Sequence, residues 1–318
     1  MSIIGSNALA GASGQSAGGG GGAGYQISRS LRFNDDDSAY LSRTPSSAGS
    51  GTTWTLSTWI KTSSNGTILC NGVAGSGDNG IYVQFFSNNF YVGTWTSSWQ
   101  WQLVTDRLFR DPSAWFHLVV SVDTTQATAS NRVKIYINGV QETSFSTENY
   151  PSQNYNTLVN NTALHAIGRY GNLSSGYFDG YLAEIHFVDG TALAASDFGE
   201  FDSNNIWRPK DCKNDLSYGT NGFYLNFSDA SSNSALGLDQ RPGATQNPSV
   251  TGYGSATGGS PDNVVDGSTS TEYDIRTNSA GVTLGTGVTA SSKVRIYGTA
   301  ESGSYEVNGT NTNIAPSS

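Results

Sequence analysis

The sequence predicts an all-β sandwich, preceded by a glycine-rich arm and followed by a small β module. Three observations carry that expectation. Apolar residues alternate with polar ones over many short runs, which is the signature of half-buried strands. Turn-forming Asn, Asp and Gly punctuate those runs at intervals of roughly 8–12 residues, the spacing of sandwiches and barrels. The composition is turn-rich, with 39 Gly in 318 residues and 13% charged residues, and is poor in the residues that build helices.

The central run is Trp115 to Gly139. Phe116, Leu118, Val120 and Val122 alternate on one side of a polar segment, and Val133, Ile135 and Ile137 on the other, with Tyr136 on the opposite face. Asn138-Gly139 then supplies the positive-φ pair of a tight hairpin, with Val140 and Glu142 continuing beyond it. The core is expected to form around this meander.

The rest of the chain falls into order around it. Residues 1–24 are Gly, Ala and Ser in the main, and cannot bury enough apolar area to fold alone. They read as a tether, with Ile3-Ile4 as a docking peptide or as part of a frayed terminus. A first domain spans residues 25–230, with strands at 28–33, 40–41, 53–61, 67–70, 80–86, 90–94, 100–105, 163–168, 178–188 and 222–227 besides the meander. Residues 191–201 (TALAASDFGEF) are expected to form a short helix. Residues 231–247 read as a linker, and 248–318 as a second β unit whose few large apolar residues include Val264, Val265, Val294, Ile296 and Tyr297.

Composition excludes several classes. A net charge of −9 without a basic cluster opposes nucleic-acid binding. No apolar run of 18 residues appears, so no membrane-inserted helix is expected. The N-terminus lacks the positive region of a secretory leader. For that reason the five Asn-x-Ser/Thr sequons, at Asn65, Asn160, Asn172, Asn226 and Asn308, are not read as glycosylated. Cys70 and Cys212 lack metal-ligand spacing and are expected to be buried thiols, a single long-range disulfide being the alternative. His117, His165 and His186 lie on separate strands with no nucleophile elbow beside them.

The strand order resembles the laminin-G-like, concanavalin-A-like jelly roll. The residues carrying the resemblance are Ser30–Tyr40, WTLSTWIK (54–61), WFHLVVSVD (115–123), VKIYING (133–139) and FDGYLAEIHFVD (178–189). Within that superfamily, FDGYLAEIHFVDGTAL followed by FGEFD, NNIWRPK and YGTNGFYLNFSD is similar to virion proteins of marine tailed bacteriophages. The C-terminal part, with residues 262–267 and 292–298, resembles the first half of a discoidin-type, galactose-binding-like fold and ends before its later strands.

Three groups of residues are candidates for chemistry. Laminarinase-type hydrolases on this fold carry a Glu-x-Asp-x-x-Glu strand. Here Glu184 is present, His186 replaces the middle Asp, and Asp189 stands beside a glycine. That departure makes the strand a solvent-facing polar stripe rather than an acid–nucleophile pair. Calcium is the one cofactor with candidate ligands: Asp35, Asp36 and Asp37, and beyond them Asp78-Asn79, Asp179 and Asp189, though none has a dedicated-site spacing. Tyr91, Trp95, Trp99 and Trp101, in a Ser/Thr-rich setting, form a candidate glycan platform, because aromatic faces stack on sugar rings. Trp99 and Trp101, two apart on a strand, are expected to share a face, so burial of both in the core is the competing reading. Trp54 and Trp59 fall on opposite faces of their strand, so at least one is expected inside.

The resemblance therefore implies a non-enzymatic, lectin-like virion surface protein, assembled in the host cytoplasm as a tail or head fibre-type appendage. Its partners would be other virion proteins through the arm, a host-surface glycan, and further copies of itself, a trimer being the family-implied state. Capsid decoration without glycan binding is the first alternative and glycan depolymerisation the second.

Overall fold

The computed structural model describes residues 24–244 except 63, 73–78, 172, 232 and 234, together with six short strands beyond residue 250. The arm up to residue 23, Asp78, Asn172, and the positions cited for the C-terminal resemblance lie outside the described residues. The chain divides into two compact units, 1–244 and 245–318. In the second, the described strands pair two by two as three antiparallel ladders.

The first unit is a sandwich of two antiparallel seven-stranded sheets. Sheet one runs β1 (Leu31–Phe33), β13 (Gly180–Asp189), β3 (Thr53–Lys61), β8 (Phe116–Asp123), β9 (Val133–Ile137) and β10 (Val140–Gln141), with β16 (Phe223–Leu225) also paired to β13. Sheet two runs β11 (Phe145–Asn149), β7 (Trp99–Leu108), β6 (Asn89–Trp95), β5 (Gly80–Phe86), β4 (Gly66–Asn71), β12 (His165–Ile167) and β2 (Leu41–Arg43). A separate hairpin joins β14 (Gly199–Phe201) to β15 (Trp207–Pro209).

The core lies where the inward positions of both sheets meet. Trp54, Leu56 and Ile60 of β3 and Leu118, Val120 and Val122 of β8 belong to the same buried cluster as Val83, Phe90, Val92, Trp101 and Leu103 of sheet two. Each such side chain contributes about 1.5–3 kcal/mol by leaving water. Asn138 (φ 48°) and Gly139 (φ 80°) form the expected tight turn between β9 and β10. The Asn138 Oδ1 accepts the His117 amide N–H at 2.7 Å. A Cβ on Gly139 would sit 2.3 Å from the Trp207 ring, so the turn chemistry and the packing both require glycine there.

Two expectations are corrected. Residues 191–201 do not form a helix beyond one 3-10 turn at Ala195–Asp197, and Gly199–Phe201 is a strand. Tertiary partners override the local preference: the Leu193 N–H is taken by Thr55 Oγ1 at 2.8 Å, Ala195 and Phe198 are buried, and β14 pairs with β15. The Glu184–His186 stretch is not solvent-facing, because the outer face of sheet one is covered. Val119, Val188 and Tyr224 form a second cluster there with Ala195, Phe198, Cys212 and Tyr218. Ile27, Trp59, Trp115 and Ala183 form a third, with Tyr25 against it. Trp54 and Trp59 point to opposite faces of β3 and are both buried.

Candidate functional site

The outer face of sheet two carries the aromatic candidates. On β5 and β6, Ile81, Val83, Phe90, Val92 and Thr94 turn inward and are fully buried, so alternation sends Tyr82, Gln84, Phe86, Tyr91 and Trp95 outward. Trp101 pairs with Thr94, and Trp99 pairs with Trp95. Two residues on β7 thus span one step on β6, so Gln100 is a bulge that turns Trp99 to the outer face. The expectation that Trp99 and Trp101 share a face is corrected by that bulge. Trp101 is 0% exposed and its Nε1 donates to Thr94 Oγ1 at 2.9 Å, which removes it from any surface platform.

On the outer face Trp99 stands edge-on to Trp95 at 5.4 Å between centroids and to Tyr82 at 5.8 Å. Tyr170 meets Tyr82 edge-on at 5.1 Å. Beneath them Gly93 is the floor: a Cβ there would lie 3.0 Å from the Trp99 ring and 2.5 Å from the Trp101 carbonyl oxygen. Tyr91 lies further along β6, edge-on to the exposed Phe86 at 6.0 Å. Tyr91, Trp95 and Trp99 are half-buried, leaving ring surface accessible. Sequence reasoning missed Tyr82 and Tyr170. Tyr82 was legible in the outward positions of β5, whereas Tyr170 comes from a loop that only the folded chain brings alongside.

The outer face of sheet one holds a different cluster. Glu184 has φ 48°, in a bulge where Ala183 to His186 of β13 spans Trp59 to Ser57 of β3; a glutamate there is strained. Its Oε2 accepts the hydroxyls of Tyr224 at 2.6 Å and Tyr25 at 3.0 Å. Burial first, and the Glu184 charge second, push both phenols well above their ordinary range. His186 shares a hydrogen bond with the Tyr218 hydroxyl at 2.8 Å and stacks on Tyr224 at 4.3 Å. Cys212 lies 4.0 Å from His186 Nε2, its thiol pushed up to about 12 by burial and then by Glu184.

Ser57 Oγ and His117 Nε2 stand 2.8 Å apart, the geometry of a nucleophile and its base. The Trp207 indole N–H, which can only donate, points at His117 Nδ1 from 3.1 Å. The proton is therefore on Nε2, which donates to Ser57 and cannot accept from it. Burial, with the neighbouring His186, lowers His117 to about 3. The cavity among Ser57, Trp59, His117, Glu184, His186 and Phe198 leaves essentially no room for a water-sized molecule.

A hydrolytic carboxylate pair is not assembled either. Glu184 and Asp189 are five residues apart on one strand, about 16 Å, whereas retaining chemistry needs about 5–5.5 Å. Asp189 is a buried structural node. Its Oδ1 accepts from Ser50 N–H at 2.8 Å and Asn160 Nδ2 at 3.1 Å, and its Oδ2 from Asn221 N–H at 3.0 Å.

The calcium candidates do not converge. Asp35 Oδ1 accepts the Asp36 N–H, Asp37 Oδ2 accepts Asn34 Nδ2 at 2.6 Å, and the turn is exposed. Asp179 pairs with Arg32. Among the described residues no three His, Cys, Asp or Glu side chains are grouped to hold a metal ion.

A family model described as the concanavalin A-like lectin/glucanases superfamily matches residues 34–197, just over half of the chain. No curated protein matches in sequence. Similar solved structures include domain 4 of the extracellular arabinanase AbnA from Geobacillus stearothermophilus, in complex with arabinotriose. It is 20% identical, with 53% of this chain and 84% of that one covered and a TM-score of 0.34. The LG4-5 domains of the mouse laminin α1 chain are 12% identical, covering 62% and 46%, with a TM-score of 0.37. Tailspike protein 2 of an Escherichia coli O157:H7 bacteriophage is 14% identical, covering 54% and 24%, again at 0.37. At those scores the assignment rests on the family match and on the two antiparallel seven-stranded sheets: the chain belongs to the concanavalin A-like lectin/glucanase superfamily.

Proposed function

We propose that this protein is a non-catalytic, glycan-binding component of a bacteriophage virion, a tail or head fibre-type appendage that displays its sandwich to the host surface. The observation that carries the glycan reading is the Trp95–Trp99–Tyr82–Tyr170 cluster on the outer face of sheet two, with half-buried tryptophans over a glycine floor. Rings held edge-on to one another leave flat faces for the apolar side of a sugar. The non-catalytic reading is supported by the buried cluster on sheet one, where the carboxylate of Glu184 is occupied by two phenols.

The virion reading is supported by the likeness of residues 178–228 to marine phage virion proteins and by the glycine-rich arm as a tether to other virion proteins. Residues 25–29 run over the outer face of sheet one, with Ile27 buried against Trp59 and the Tyr25 hydroxyl on Glu184. Residues 25–29 thus lie on sheet one, opposite the sheet that carries the aromatic face. Weak single-site binding would be raised by avidity in a homo-oligomer, a trimer being the state the resemblance implies.

The test is binding of the full chain, presented multivalently, to intact host bacteria and an array of bacterial surface glycans. Saturable binding, lost in Trp99→Ala with the melting transition retained, and no release of reducing ends from the bound glycan, are expected. Absence of binding at high valency would overturn the reading in favour of a structural virion role. Release of reducing ends would overturn the non-catalytic part.

A further inference from the structure

Between Asp78 and Asp106 the sequence contains no Asp, Glu, Lys, Arg or His, although the chain carries 16 basic and 25 acidic residues. That uncharged run supplies all of β5 and β6 and the first half of β7, the three strands that build the aromatic face. At its two ends stand Trp95 with Trp99 and Tyr91 with Phe86. Trp95 and Tyr91 are four residues apart on β6, about 13 Å, longer than a single pyranose ring. Between these ends the strand pairing sets Gln84 beside Tyr91 and Gln102 beside Gly93. Gln102, half-buried, thus offers an amide donor and acceptor at the middle of the face, and Gln84, nearly covered, lies at the Tyr91 end.

We infer that this face takes an uncharged, linear oligosaccharide of several rings lying along β6, stacked at one end on Trp95 and Trp99 and at the other on Tyr91. The inference rests on the glycan-binding reading above and adds the class of glycan. Acidic polysaccharides are recognised through bidentate Arg or point-charge Lys, and neither is present between Asp78 and Asp106; Arg107, beyond that run on β7, is paired with Glu142 at 2.7 Å. Neutral sugars need what the face does provide, ring surface for their C–H faces and side-chain amides for their hydroxyls. A carboxylated or sulfated chain laid there would lose hydration with no cation in the 79–105 run to replace it.

The experiment measures retention of the full chain by two sets of immobilised polymers, neutral mannans and glucans against alginate and polysialic acid, at ~0.05 and ~0.5 M salt. Expected are retention by a neutral polymer that changes less than about twofold with salt, and none by the acidic ones. With oligosaccharides cut from the retained polymer, affinity should rise from the disaccharide to the tetrasaccharide and then level off. Tyr91→Ala should remove that rise, about a fivefold loss for the tetrasaccharide, with a smaller loss for the disaccharide, which can sit at the Trp95–Trp99 end instead. Trp99→Ala should weaken both lengths alike. Retention by acidic polymers that falls steeply with salt would overturn the neutral assignment while leaving glycan binding intact. Equal effects of Tyr91→Ala on both lengths would overturn the alignment along β6. No retention by either set would overturn the glycan reading itself.

Discussion

Replacing Trp101 and Trp99 by alanine, one at a time, tests the bulge at Gln100 that separates them. Trp101 is 0% exposed and its indole N–H is held by Thr94 Oγ1, which in turn donates to the Thr157 carbonyl at 3.1 Å. Truncating a buried tryptophan costs about 3–5 kcal/mol, and the lost Trp–Thr hydrogen bond adds about 1 kcal/mol. Trp99 is half-buried, and its edge-on contacts to Trp95 and Tyr82 are worth about 0.5–1.5 kcal/mol each. For a unit of this size each kcal/mol moves the melting midpoint by about 2–4 °C. At a common ~3 °C per kcal/mol, Trp101→Ala is therefore expected to lower it by about 12–18 °C, and Trp99→Ala by about 3–9 °C. Calorimetric melts of the full chain at neutral pH read both, and urea midpoints check them. Equal losses, or a larger loss for Trp99→Ala, would show that the two side chains share an environment and would refute the bulge.

Stability should also fall with acid below neutral pH. Burial, with the neighbouring His186, holds His117 at about 3, and burial holds His165 at about 4, against 6.5 for an ordinary histidine. Both stay neutral in the folded chain while the unfolded chain takes up protons. Stability is thus full above pH 6.5 and declines toward pH 4, by up to roughly 2–3 kcal/mol per pH unit when both contribute. Urea midpoints at pH 7 and 5 measure this, with His165→Gln expected to remove about half of the slope and a flat profile refuting the assignment. The thiols of Cys70 and Cys212 are both buried and each pushed up to about 12. A disulfide-exchange reagent at mild alkaline pH should find neither in the native chain and both in denaturant; rapid native labelling would contradict their burial. Tyr25→Phe removes one of the two donors to Glu184 and should cost about 1 kcal/mol, speed proteolysis within residues 25–29, and leave glycan binding unchanged. Weakened binding in that variant would contradict the separation of the two faces.

Much of the sandwich was legible because alternation is a local property. Strands β5, β8 and β9 coincide with runs whose inward residues can be read directly from the chain, and Asn138-Gly139 announces its turn without reference to anything distant. Of the site, Tyr91, Trp95 and Trp99 were legible as aromatics in a polar setting. Trp101 was assigned with them because a bulge carries no local mark: Gln100 is an ordinary strand residue until its partner strand is known.

The sequence by itself determined the all-β class, the hairpin chemistry, the family, and an uncharged aromatic stretch. Each depends on the order of neighbouring residues and on what those residues can do in any context. Tertiary structure alone decided which faces are covered. Residues 25–29, and a segment from 191 to 225 with little regular structure, close over sheet one, burying Trp59, His117, Glu184 and His186 in a polar cluster that alternation would have left in water. The same packing unwinds the expected helix at 191–201, because a hydroxyl 138 residues away takes the Leu193 N–H. Burial of an outward face is set by whatever segment arrives to cover it, and that contact is written in the topology of the whole chain, not in the strand that receives it.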